Sequence, residues 1–198
     1  MRPSWITIGM VIAALAVHVI TPLADALRFE RLLMDDEPWR LFACHLVHFN
    51  TAHLFWNCLV FAVAGTLLEQ RSSREFVITV GVTIIAIGPG LILGDPGLGT
   101  YCGLSGIGAA CIASVAYRGV IDRANRTIWL IVAFLLISKI TMEFLQPQPL
   151  LAGDTATFRS VPLAHAIGIL AGVLSSSLFR VRPSDTDVGN LGLDSLAR

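Results

Sequence analysis

The chain has 198 residues, of which 55% are hydrophobic and only 14% charged, and its mean hydropathy is +0.72. Soluble domains of this size carry about 25% charge, so the composition excludes an ordinary soluble enzyme and points to a polytopic membrane protein. The formal net charge is zero, which gives no basic field for nucleic acid.

A bilayer span needs roughly 20 apolar residues. Six candidates follow in order, at about 5–24, 52–69, 76–94, 104–119, 127–146 and 161–180. They predict one all-α membrane domain over 1–182 and a short polar tail over 183–198, expected to be poorly ordered. The first run lacks a small-residue cleavage site and reads as a retained helix rather than a signal peptide. His18 within it reads as a hydrogen-bonded core histidine. The segment 25–51 is mixed, and its Trp39-Arg40 pair suits a membrane interface.

The second span carries His53 and Asn57 at i and i+4, on one helical face. After the third span, Gly94-Asp95-Pro96-Gly97-Leu98-Gly99 reads as a loop dipping inward. Non-helical backbone at depth requires a protein-lined or hydrated surround. The fourth span is short and opens with Gly103-Leu104-Ser105-Gly106, which places the Ser105 hydroxyl below the membrane surface in a wet pocket. The fifth span carries Lys139 and Glu143 at i and i+4, read as mutual neutralisation. The sixth carries His165, followed at helical spacing by Gly168 and Gly172.

Arginine placement orients the bundle. With the N-terminus inside, nine arginines fall on inner segments and four (Arg28, Arg31, Arg40 and Arg159) on outer ones. Both termini are then cytoplasmic, and Ser105 lies toward the outer face.

A serine in a glycine-rich turn is, alone, best explained as a tight helix–helix contact. His53 and Asn57 alone would be polar glue between helices. An ionisable imidazole inside a span shifts the balance, because a buried titratable group in hydrocarbon is costly. Gly168 and Gly172 share a face with His165 and allow close backbone approach to the small residues Gly108 and Ala109. Packed so, His165 serves as general base to a Ser105 nucleophile. His53 and Asn57 supply donors for an oxyanion, each worth about 3–4 kcal/mol in the barrier. Neither Asp154 nor Glu143 is placed compellingly to orient His165, so the sequence favours a dyad over a triad. A metal site built from His45, His48, His53 and His165 is disfavoured, because acidic residues are nearly absent from the spans. Cys44 and Cys102 read as free thiols rather than a disulfide.

In this order, Trp39-Arg40, His48, His53, Asn57, Gly65, Glu69, Arg71, Gly103-Leu104-Ser105-Gly106, Ala164-His165, Gly168 and Gly172 resemble the rhomboid family of intramembrane serine proteases. The resemblance implies a six-transmembrane-helix rhomboid-like bundle in the cell inner membrane. It assigns Ser105 as nucleophile and His165 as base, with His53, Asn57 and the Ser105 backbone N–H as oxyanion hole. Trp39-Arg40 would belong to a membrane-embedded first loop and His48 would be structural, with Glu69, Gly103, Gly106, Gly168 and Gly172 in support. No metal or other cofactor is implied. The stretch from Arg40 to Asn50 is most similar to the rhombosortase branch, which implies substrates with a C-terminal Gly-Gly-type sorting tail. Many rhomboids carry a tyrosine four residues after the serine, where this chain has Ala109, and Cys44 stands where a histidine is common. The expected partners are transmembrane protein substrates and the lipid bilayer. The alternatives are a general rhomboid protease without a sorting role, or a catalytically inactive rhomboid-like binder of membrane clients.

Overall fold

The computed structural model describes residues 3–123, 125–145 and 160–179. Asp154, Arg159 and the tail 183–198 lie outside them.

Eight helices form in the described residues: α1 (Trp5–Val19), α2 (Thr21–Leu27), α3 (Arg40–Ala43), α4 (Thr51–Arg71), α5 (Ser73–Gly94), α6 (Ser105–Ile121), α7 (Arg126–Leu145) and α8 (Pro162–Ser177). Three of them, α4, α5 and α7, are long and apolar enough to cross a membrane, and α1 with α2 gives a fourth if that bent pair is one span. Helices α6 and α8 are apolar but shorter, at 17 and 16 residues. The chain is therefore an all-helical, multi-pass membrane protein.

The first expected span, 5–24, is not one helix. The chain turns by 110° between α1 and α2. Pro22 lies in the first turn of α2. It has no N–H to donate and its ring clashes with the carbonyl four residues back, so α1 stops before it.

The segment 25–51 is built rather than loose. A two-residue strand β1 (Phe29–Glu30) pairs antiparallel with β2 (Thr100–Tyr101), Phe29 opposite Tyr101. Arg40 is buried and binds the Glu37 carboxylate and the carbonyls of Asp25 and Arg28. Trp39 donates its indole N–H to the Ala26 carbonyl at 3.1 Å. Arg31 donates to the carbonyls of Leu91, Asp95 and Leu98, capping the C-terminus of α5. Unpaired carbonyls at a helix end need such partners, most of all where water is scarce.

The core runs between α4, α5 and α6, with Phe61, Leu68, Phe76, Leu104, Ile107 and Cys111 packed together. Helix α6 is central. Its run of Gly, Ala, Cys and Ser is almost entirely buried, because small side chains let neighbouring backbones come close. Leucine, isoleucine and phenylalanine side chains such as Ile85, Phe134 and Leu170 face outward, as a lipid-facing surface requires. Glu69 at the end of α4 reaches across to α1, accepting from the Ile6 and Thr7 backbone N–H groups and the Thr7 hydroxyl.

A buried polar group that sequence reading did not single out ties the other end of the bundle. Glu75 of α5 accepts from Ser176 of α8 at 2.6 Å and from Ser114 of α6 at 3.5 Å, with Arg118 3.8 Å away. Glu75 and the two serines are hydrogen-bonded to one another across three helices, and Arg118, which donates to the Phe179 carbonyl, adds its charge beside the carboxylate.

Candidate active site

Ser105 is the first residue of α6 and is half-buried. The approach to it is fixed by Gly103, whose φ is +122°, a conformation that L side chains rarely adopt. The Gly103 N–H donates to the Cys44 carbonyl at 3.2 Å, and the Leu104 N–H donates to His48 Nε2 at 3.4 Å. The segment 25–51 thus holds the turn that presents the serine. Because α6 begins at Ser105, unpaired N–H groups and the positive end of the helix dipole lie at the hydroxyl.

His48 is buried, and burial, followed by the nearby His53 ring, pushes its pKa down to about 3. The neutral ring is the form able to accept the Leu104 N–H, which fits a structural part. His45 is buried too, edge-on to Tyr101 with centroids 5.9 Å apart.

His53 and Asn57 converge on the same turn. A Cβ built on Gly103 would lie 3.0 Å from His53 Nε2 and 3.0 Å from Asn57 Nδ2. Helix α4 is started by Asn50, whose side-chain oxygen accepts the His53 N–H at 2.8 Å, and this fixes the position of both side chains. Asn57 Nδ2 is buried and has no hydrogen-bond partner among the described residues. A buried amide donor left unused costs stability, so one aimed at this turn is suited to binding a developing negative charge.

His165 is buried in the first turns of α8. Helices α6 and α8 meet backbone to backbone. A Cβ on Gly168 would come within 2.1 Å of the Gly106 carbonyl oxygen, and one on Gly172 within 2.2 Å of that of Ala110. A Cβ on Gly106 would lie 3.1 Å from the Ala164 carbonyl oxygen. Ser105 precedes Gly106 and His165 follows Ala164, so the two stand at one level on facing helices. No hydrogen bond joins Ser105 Oγ to His165 among the described residues. Such contacts often close only in the substrate complex.

The imidazole is not without an acid, and this corrects the sequence reading. Glu143 Oε2 lies 2.7 Å from His165 Nδ1, and Glu143 Oε1 accepts from Lys139 Nζ at 2.7 Å. The Lys139–Glu143 pair forms as expected, but it extends onto the histidine. The signal was present: a carboxylate inside an apolar span is as costly as an imidazole there, and each implies a partner. What sequence could not supply was the approach of α7 to α8.

A cleft of about 560 Å³ opens between the loop 94–100, the C-terminal end of α7 and the start of α8, and Phe49, Asp95, Glu143, Ser160 and Leu163 are among its walls. Cys44 and Cys102 are free, buried thiols. Ala109 is buried in α6. Trp39, Arg40 and Glu69 lie at the joints described above.

Residues 35–182, about three-quarters of the chain, match the family model described as the Rhomboid domain. No curated protein matches the chain.

Proposed function

The chain belongs to the rhomboid family, whose members are generally intramembrane serine proteases, and on that premise we propose that it is an active endopeptidase using Ser105 and His165. The observation that supports this reading is the close backbone approach of Gly106 to Ala164 and Gly168, with Ser105 and His165 the chain neighbours of Gly106 and Ala164, and with His53 and Asn57 against the adjoining Gly103 turn.

In the proposed reaction Ser105 Oγ attacks the carbonyl carbon of a substrate peptide bond, and its proton passes to His165 Nε2. The carbonyl oxygen takes up negative charge at the start of α6, facing the Asn57 amide, the His53 ring and the Ser105 N–H. Collapse breaks the C–N bond, and His165 returns the proton to the leaving amine. Water then attacks the acyl ester, giving its proton to His165. Breaking the ester restores the serine hydroxyl and leaves a new C-terminal carboxylate.

We read the six apolar helices as six spans, with both termini cytoplasmic, in the inner membrane. The nine-to-four arginine bias supports that orientation. The 17 residues of α6 extend about 25 Å at 1.5 Å per residue, against a hydrocarbon core of about 30 Å, so its start at Ser105 would lie beneath the outer surface. The substrate would be a transmembrane protein cut near the outer face. The Arg40–Asn50 stretch supports substrates with a C-terminal sorting tail.

The test is cleavage of a tailed transmembrane substrate by reconstituted protein. Ser105→Ala and His165→Ala should each lower turnover by about 10⁴-fold or more, with folding intact. Retained cleavage in either variant would remove the mechanism. Mass spectrometry of secreted proteins with and without Ser105 tests the sorting role, which predicts tails left attached in its absence.

A further inference from the structure

We propose that Glu143, supplied by α7, is a positioning residue for His165, holding the imidazole that serves as base to Ser105. The proposal rests on the reading of Ser105 and His165 given above.

Three observations carry it. The first is geometry: Glu143 Oε2 and His165 Nδ1 are 2.7 Å apart, with side-chain exposures of 4% and 8%. A carboxylate can only accept, so Nδ1 holds the hydrogen, and the lone pair needed to take the serine proton is left on Nε2. The second is charge. Lys139 Nζ holds the other carboxylate oxygen at 2.7 Å and is itself 36% exposed. The carboxylate is thus balanced on one side, with its remaining oxygen directed at the ring. An isolated buried charge would be costly, and a paired one is tolerated. The third is the character of α7. Apart from Glu143, its only fully buried residue is Ile140. The rest of the helix is apolar and mostly outward-facing, so a hydrocarbon surface would serve it everywhere else. An acid at the one position that meets the imidazole has no packing explanation.

Chemically, the carboxylate holds the ring plane and tautomer fixed and stabilises the imidazolium formed when Ser105 gives up its proton. It takes no proton itself. The interaction strengthens as the ring becomes charged, so its loss falls on the chemical step rather than on substrate binding.

The experiment compares wild type, Glu143→Gln, Glu143→Asp and Ser105→Ala in proteoliposomes, measuring kcat and KM on one transmembrane substrate. Glu143→Gln should lower kcat by about 100-fold or more with KM within about twofold, and Glu143→Asp should recover part of that loss. A Gln variant with wild-type kcat, alongside an inactive Ser105→Ala, would overturn the role of Glu143 while leaving the serine mechanism standing. An active Ser105→Ala would instead remove the mechanism on which the proposal rests. If Glu143→Gln does not fold, ¹⁵N-histidine NMR of Ser105→Ala decides the matter. A strongly deshielded Nδ1–H on His165 is expected, and a ring protonated on Nε2 alone would overturn the proposal.

Discussion

At Gly103 a single hydrogen atom in place of a side chain does two things. It permits the +122° φ, and it leaves room for His53 and Asn57, which lie 3.0 Å from where a Cβ would stand. Alanine would be strained by about 1–2 kcal/mol and would push both side chains aside. Gly103→Ala should therefore fold but lose at least about tenfold in kcat, which turnover and thermal melting measured on the same sample would check. Much of this candidate site was legible at the residue scale. The buried imidazole, the serine turn and the i, i+4 pair were all conspicuous against an apolar background. Glu143 was equally conspicuous and was assigned only to Lys139, because i, i+4 spacing reveals partners on the same helix and not those on the next one.

Between elements, the polar side chains act mainly on helix ends. Glu69 satisfies two N–H groups at the start of α1 and the Thr7 hydroxyl, and Arg31 satisfies carbonyls at the end of α5. Replacing Glu69 with Ala strands three donors where water is scarce, and should cost about 1–3 kcal/mol and several degrees in Tm. An unchanged Tm would mean that lipid headgroups or water already satisfy those groups. The helix positions themselves followed from apolar run length. Two features did not. Pro22 breaks the first run, a stop that hydropathy averages over. The β1–β2 pair joins Phe29 to Tyr101 across more than a third of the chain, and two-residue strands leave no periodic pattern to read.

For the whole molecule, two contacts hold α7 at its ends. Near its start the Trp129 ring lies on Gly119 of α6, too close for any side chain there. Near its end Glu143 grips His165. Between them the helix faces mostly outward, Ile140 apart, so the least embedded span carries the carboxylate that meets His165. Helices α6 and α8, by contrast, are locked by backbone contact at Gly106, Ala110, Gly168 and Gly172. The bundle therefore has a rigid pair bearing Ser105 and His165, the proposed nucleophile and base, with α4 and the segment 25–51 fixing the turn in front of them. The claim on which all of this depends is that Ser105 is activated by His165. The most direct measurement is labelling of the reconstituted protein by a serine-directed fluorophosphonate, with the modified residue mapped by mass spectrometry. The account predicts one adduct, on Ser105, slowed by at least about 100-fold in His165→Ala. Labelling at another serine, or at an undiminished rate without His165, would contradict it.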